Sequence, residues 1–244
     1  MKNSTSFIIV RHEKVENPNN IFYGVSRNLE ISQQGMIDAQ NVGKKLMVAG
    51  ISIDGVIMSP LDRAKMTAKN ILVGMGLQTS RSRRRNHDFS SNEVEVKVDP
   101  RLIDVAYPAI EGRPTDAEGF VILPSGERVN LDNIEPFLDE TLDNAGARFR
   151  SSLMDLANTH PGQTLLVVSH GDPIAAGLKK IKDPDKEISS IQELIESGLY
   201  PQKGEMSFLR LDGKGNLDSE IYRNPDAGEL KTLIEGNIKG LKER

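Results

Sequence analysis

Two apolar segments that each end in a histidine constrain the fold of this chain more than any other feature. Residues 7–14 read FIIVRHEK, and residues 165–172 read LLVVSHGD. Short apolar runs of this kind predict strands that are buried in a sheet. Ionisable groups at the end of a buried strand are costly unless they are paired or used. We therefore expect His12 and His170 to serve a function.

Strand and helix patterns alternate along the rest of the chain. Further strands are predicted at residues 54–59 and 93–99, and a hairpin at residues 205–222. Helices are predicted at residues 32–50, 60–76, 135–160, 172–181 and 226–241. Apolar strands that alternate with helices are typical of a mainly parallel sheet covered on both faces. The fold class is therefore α/β, a three-layer sandwich with helices on both faces of a central sheet.

The alternating pattern gives no reason to divide the chain, so we expect one domain over residues 1–244. Two irregular segments interrupt the pattern, at about residues 76–98 and 107–133. The first contains the basic run RSRRR, which is more typical of a solvated flap than of a phosphate-binding patch. The second is rich in glycine, proline and charge. We interpret both as insertions over one edge of the sheet.

Charge and composition exclude several classes of partner. The formal net charge of −4 gives no reason to expect nucleic acid or a membrane as a partner. The chain has no cysteine, which excludes disulfides, thiolate metal sites and cysteine nucleophiles. The apolar stretch near the N-terminus is too short for a signal peptide or a membrane span. We expect a cytoplasmic protein; its oligomeric state cannot be read from the sequence.

The two histidines are expected to face one crevice, because ligands bind beyond the carboxyl ends of parallel strands. Arg11 precedes the first histidine, and Arg63 falls in the first turn of the helix that follows residues 54–59. Guanidinium groups bind phosphoryl oxygens with paired donors, and backbone N–H groups near Gly171 add to them at a helix N-terminus. Two histidines in such a site can serve as nucleophile and charge stabiliser. The set predicts a phosphate site.

Several ordered motifs resemble those of the histidine phosphatase superfamily, also called phosphoglycerate mutase-like. The Arg11-His12 pair is similar to its Arg-His-Gly signature, with Glu13 where the family has glycine. The stretch NPNNIFYGVSRNLEISQQG resembles its Asn-Pro, Tyr-Gly and Leu-x-x-x-Gly sequence. SPLDRAKMTA, DPRLIDVAYPAIEG and VVSHGDPI resemble its arginine, acid and second histidine motifs.

The resemblance implies roles for individual residues. His12 would accept the phosphoryl group, and Asp104 would protonate the leaving oxygen where the family more often has glutamate. Glu13 and Glu111 are the alternative acids. Four residues would bind the phosphate and the charge that grows on it: Arg11, Asn17, Arg63 and His170. Gly171 would supply backbone N–H groups. The family needs no metal, so no metal or other cofactor is expected, and the partner is a small phosphorylated substrate.

The leading interpretation is a metal-independent phosphomonoesterase that forms a phosphohistidine. A mutase is the second; the Glu-Arg-x-Tyr-Gly segment expected of the glycolytic mutases is replaced here by AYPAIEGRPTDAEGF. A third is a regulatory protein that binds phosphate without turnover, suggested by Glu13 and by aspartate at position 104. A metal-dependent hydrolase that uses His12, His170 and Asp172 is the most distant, because adjacent arginines repel a cation.

Overall fold

The computed structural model describes residues 4–79, 93–130 and 135–235. A central sheet has the strand order β3-β4-β2-β7-β1-β8-β9. Its members are β1 (Thr5–Arg11), β2 (Gly55–Met58), β3 (Gln78–Thr79), β4 (Glu93–Val98), β7 (Thr164–Ser169), β8 (Met206–Leu211) and β9 (Tyr222–Arg223). Neighbours from β3 to β1 are parallel, whereas β8 and β9 pair antiparallel at one side. A separate hairpin joins β5 (Val121–Ile122) and β6 (Arg128–Val129).

Helices cover both faces of the sheet, which confirms the predicted three-layer α/β fold. They are α1 (Gln33–Val48), α2 (Asp62–Gly74), α3 (Leu142–Thr159), α4 (Gly171–Lys182), α5 (Ile191–Glu196) and α6 (Ala227–Ile234). Alternate side chains of β1 face opposite ways, because successive residues of a strand point to opposite faces. Ile8 and Val10 pack in the cluster that holds α1, α2 and α6, and Phe7 and Ile9 pack in the cluster of α3 and α4.

The register between β1 and β7 places the two histidines side by side. The strands are parallel, and Arg11 is directly opposite Ser169. Each strand therefore ends one residue before its histidine. His12 donates its backbone N–H to the carbonyl of Ser169 at 2.9 Å, which continues the ladder by one bond. His170 then caps α4.

The observed elements differ from the predicted ones at the start of α3, in the first predicted insertion and at α5, which the sequence did not predict. The helix predicted from residue 135 begins later: a 3₁₀ turn occupies Glu135–Phe137, and Thr141 caps α3 through its side chain. The predicted insertion at residues 76–98 contributes β3 to the central sheet, beside β4, which was predicted as a strand. Its basic run lies outside the described residues. No helix in the described part of the chain is long and apolar enough to cross a membrane.

The described part of the second predicted insertion, residues 107–130, lies over the carboxyl edge of the sheet. It carries the β5–β6 hairpin and is joined to the loop after β1 by a bridge between Ile21 and Pro114. Glu111 fastens the same loop, because its carboxylate accepts the backbone N–H groups of Val25 at 3.0 Å and Tyr107 at 2.9 Å. This segment and the loop after β1 together cover the edge of the sheet at which His12 and His170 lie.

Candidate active site

His12 lies at the base of a cavity of about 340 Å³ at the carboxyl edge of the sheet. Its side chain is 1% exposed. Nδ1 lies 2.8 Å from the backbone carbonyl of Glu13. A carbonyl can only accept, so Nδ1 carries the proton and Nε2 of the neutral ring keeps its lone pair. Burial, with the charges of Arg63 and Arg11, lowers the pKa of His12 well below its usual value.

His170 lies beside His12, with 5.1 Å between the ring centroids, but both of its nitrogens are engaged. Arg63 donates Nε–H to His170 Nδ1 at 3.3 Å, so Nδ1 is the acceptor. Nε2 then donates to Ser59 Oγ at 2.7 Å. Burial and the charge of Arg63 lower the pKa of His170 well below its usual value, which agrees with the neutral tautomer.

The two predicted arginines occupy different environments. Arg63 is fully buried, and its guanidinium donates to the carbonyls of Ser26 and Gly24 and to Asp104. It stands behind the cavity wall rather than in it. Arg11 lines the cavity, with its guanidinium 5.3 Å from the centre of the Tyr200 ring.

Gly171 begins α4 directly beneath the Arg11 guanidinium. A Cβ at this position would lie 2.7 Å from the hydroxyl of Tyr200 and 2.9 Å from Arg11 Cζ. Only glycine leaves room for that approach. The first turn of α4 thereby presents backbone N–H groups to the cavity, in the arrangement that favours anions.

Asp104 is the carboxylate that reaches both histidines. Its Oδ2 lies 2.9 Å from Arg63 Nη2 and 3.4 Å from His170 Nδ1, and the residue lines the cavity with His12. Burial raises the pKa of Asp104; Arg63 opposes that rise, and the negative charge of Asp172 adds to it. A carboxyl group that keeps its proton more readily than usual is suited to act as an acid.

Of the two alternative acids, neither lines this cavity. Glu13 is 4% exposed and turns to the other side of the chain, where its carboxylate packs against Gly204. Glu111 is used by the backbone of the surrounding loop. Asn17 does line the cavity, but its amide holds Ile21 through two hydrogen bonds, accepting at 3.1 Å and donating at 2.8 Å.

A model of the histidine phosphatase superfamily, branch 1, matches residues 7–194. The chain belongs to this superfamily.

Relatives of this histidine phosphatase superfamily member include both mutases and phosphatases. It is 28% identical over 180 residues to a 2,3-bisphosphoglycerate-dependent phosphoglycerate mutase of Brucella anthropi, covering 71% of this chain and 79% of the relative. The structure of Bacillus stearothermophilus YhfR matches with a TM-score of 0.61 at 16% identity, over 92% of this chain and 100% of that one. A phosphoserine phosphatase from Entamoeba histolytica has a TM-score of 0.58 at 18% identity, covering 91% and 97%. These structural likenesses confirm the fold.

Sequence reasoning named Asp172 only as a candidate metal ligand and missed its contacts with two tyrosines of this superfamily member. Asp172 accepts the hydroxyl protons of Tyr107 and Tyr200, each at 2.6 Å. The two tyrosines come from the second irregular segment and from the loop before β8. Nothing in the local sequence pairs residues so far apart; only Asp172 carried a signal, by its place in the second histidine motif. The trio ties α4 to the walls of the cavity.

Three side chains at the centre of the site each offer one possible metal-ligand atom. Those atoms of His12, Asp104 and His170 lie within 4.8 Å of one another. The guanidinium of Arg63, however, is hydrogen-bonded to Asp104 and His170 at that point. A fixed positive charge there opposes a divalent cation and favours an anion.

Proposed function

We propose that this protein is a metal-independent phosphomonoesterase, which hydrolyses a small phosphorylated substrate through a phosphohistidine at His12. The observation that carries the proposal is the tautomer of His12. Its Nδ1–H is held by a carbonyl of its own chain, so the nucleophilic Nε2 is available without prior deprotonation. A low pKa keeps the ring neutral in this state.

In the first step, Nε2 of His12 attacks phosphorus and the bond to the leaving oxygen breaks. Asp104 gives its proton to that oxygen. Phosphoryl transfer depends mainly on positioning and on stabilising charge at the non-bridging oxygens. Arg11 and the N–H groups at Gly171 line the cavity for that purpose, and Arg63 stabilises the same charge from behind. His170 positions Arg63 by accepting its Nε–H.

In the second step, water attacks the phosphohistidine. Asp104, now ionised, takes a proton from the water, and the bond between phosphorus and Nε2 breaks. Inorganic phosphate leaves, and His12 returns to its neutral tautomer. The same carboxyl group thus acts as acid and then as base.

The proposal is tested by acid-quench labelling with a phosphate donor that carries radioactive phosphorus, in buffer that contains EDTA. The parent protein is expected to retain an acid-labile label, and His12→Ala to lose both label and turnover. His160→Ala is the matched control, because His160 ends α3 away from the cavity. A label of equal size in His12→Ala would contradict the assignment. Activity lost in EDTA and restored by a divalent cation would contradict the metal-free reaction.

A mutase is the second candidate, because the curated relatives at 26–28% identity are named as phosphoglycerate mutases. Both reactions would share the phosphohistidine, and they differ in what accepts the phosphoryl group. We favour water because the segment at residues 106–120 lacks the motif expected of glycolytic mutases. Incubation with 2,3-bisphosphoglycerate and a monophosphoglycerate distinguishes the two: release of phosphate supports the phosphatase, and isomerisation without release supports the mutase.

A further inference from the structure

An exposed lysine lies between the active-site cavity and a second, larger groove. Lys203 lines the cavity that contains His12 and also lines an adjoining groove of about 590 Å³. The two spaces also share Asn17, Asn20 and Tyr23. The ammonium group of Lys203 lies 5.9 Å from the centre of the Tyr23 ring. It therefore lies where the cavity joins the groove.

The ammonium group of Lys203 is uncommitted, unlike the guanidiniums near it. Within residues 4–79, 93–130 and 135–235, Lys203 makes neither a hydrogen bond nor an ion pair. Arg11 donates to the carbonyl of Pro201 at 2.8 Å, and Arg63 is satisfied by carbonyls and by Asp104. The positive charge of Lys203 contributes to the low pKa of His12, so the electric field of Lys203 reaches that ring.

The loop that carries Lys203 is held to the end of β1 on both sides. Gly204 donates its N–H to the carbonyl of Arg11 at 3.1 Å, and the Arg11 N–H is accepted by the carbonyl of Glu205 at 3.2 Å. Glu13 fills the space against Gly204, where a Cβ would lie 2.0 Å from the carboxylate Oε1. The residue that replaces the family's glycine thus packs beneath the loop and supports the position of Lys203.

We infer that Lys203 is a specificity-determining residue that binds a second anionic group, carried by the leaving group of the substrate. This inference rests on the proposed function for the location of the phosphoryl group. The phosphate occupies the Arg11 side of the cavity, and Lys203 faces the exit toward the groove. A carboxylate or second phosphate on the leaving group then meets an ammonium group that makes no hydrogen bond or ion pair within the described residues.

Calorimetric titration of the His12→Ala protein tests the inference without turnover. The ligands are 3-phosphoglycerate and glycerol 3-phosphate, which differ only in a carboxylate against a hydroxymethyl group. The His12→Ala protein, the parent of this series, is expected to bind 3-phosphoglycerate more tightly than glycerol 3-phosphate. Adding Lys203→Gln should reduce that preference about three- to tenfold, the range between an exposed ion pair and a charge-assisted hydrogen bond. Lys203→Arg should restore most of it.

Lys14→Gln is the matched control, because Lys14 lines the groove but not the cavity. A general attraction of anions would respond equally to either lysine, and equal losses would overturn the inference. It would also be overturned if the parent showed no preference between the ligands, or if Lys203→Gln weakened both by the same factor. Failure of the phosphohistidine assignment appears separately, in the acid-quench experiment.

Discussion

Glu13 and Asp104 are both carboxylic acids near His12, but they occupy opposite sides of it. Glu13 follows His12 directly in the chain, yet its side chain leaves the cavity and packs against Gly204. Asp104 is far from His12 in the sequence, yet it lines the cavity and contacts Arg63 and His170. Burial raises the pKa of both carboxyl groups, to about 7 for Glu13.

The difference shows that a raised pKa identifies a proton donor only when the geometry also suits the reaction. Successive side chains at the end of an extended strand point opposite ways, so the neighbour of an inward-facing histidine faces outward. Glu13 is buried for a packing reason and has no route to a substrate in the cavity. Asp104 combines burial with a fixed contact to Arg63, beside His12 in the cavity.

The largest effect expected from this contrast is on the rate of leaving-group departure. Asp104→Asn should slow hydrolysis of an alkyl phosphate such as glycerol 3-phosphate by about 10²- to 10⁴-fold, the usual contribution of a general acid. Nitrophenyl phosphate should be slowed far less, because nitrophenolate leaves without a proton. The measurement is the ratio of kcat values for the two substrates.

The same ratio for Glu13→Gln and Glu111→Gln separates the three candidate acids. Neither change is expected to affect the alkyl phosphate selectively, since neither carboxylate lines the cavity. If Glu13→Gln produced the selective loss, the contrast between the two carboxyl groups would be wrong. Equal slowing of both substrates by Asp104→Asn would instead remove Asp104 from the role of acid.

Much of the fold could be predicted because its signals are local. The apolar runs of β1 and β7, the Ser32 cap of α1 and the glycine at position 50 each mark an element or its boundary. The start of α3 was placed too early because Glu135–Phe137 continues the helical pattern. There, the backbone forms only one 3₁₀ turn before the Thr141 cap.

The site was predictable only in part, because sheet register decides it. The ends of two parallel strands brought His12 and His170 together as expected. The sequence could not show which way each side chain points. Arg63 lies behind the wall of the cavity, and the Glu13 side chain points away from it. The contacts of Asp172 with Tyr107 and Tyr200 depend on the conformations of loops, and loops have no periodic sequence pattern from which such contacts can be predicted.

The second prediction concerns the packing of Glu13 against its loop. Gly204 has φ +71°, and Gly198 has the same φ but open space where a Cβ would be. Gly198→Ala should therefore cost about 1 kcal/mol of unfolding free energy, for conformation alone. Gly204→Ala adds a collision with the Glu13 carboxylate and should cost about 2–4 kcal/mol, as overpacking does. Urea denaturation of both variants measures the difference.

A double variant shows whether Glu13 is the cause. In Glu13→Gly, the space beneath residue 204 is empty, so a further Gly204→Ala change should cost about as much as Gly198→Ala, or about 1 kcal/mol. If the cost stays near that of Gly204→Ala alone, the strain at position 204 has another cause. The inference that Glu13 supports the Lys203 loop would then be wrong.

The smallest predicted effect is on the pH dependence of stability. Burial raises the pKa of Glu13 to about 7 in the folded protein, with the charge of Asp38 adding to it, from 4.5 when unfolded. The folded state thus holds this proton more tightly, so its contribution is complete below pH 4.5 and is lost as pH rises through 7. Glu13 lines an open groove, so we expect a loss of about 1–2 kcal/mol between pH 5 and 8, less than the full shift implies. The two buried histidines change stability in the opposite direction, because their pKa values are lowered. Only the difference between the parent and Glu13→Gln therefore isolates Glu13, measured by urea denaturation at both pH values. Parallel pH profiles for the two proteins would show that the protonation state of Glu13 does not change on folding, and the predicted shift of its pKa would be wrong.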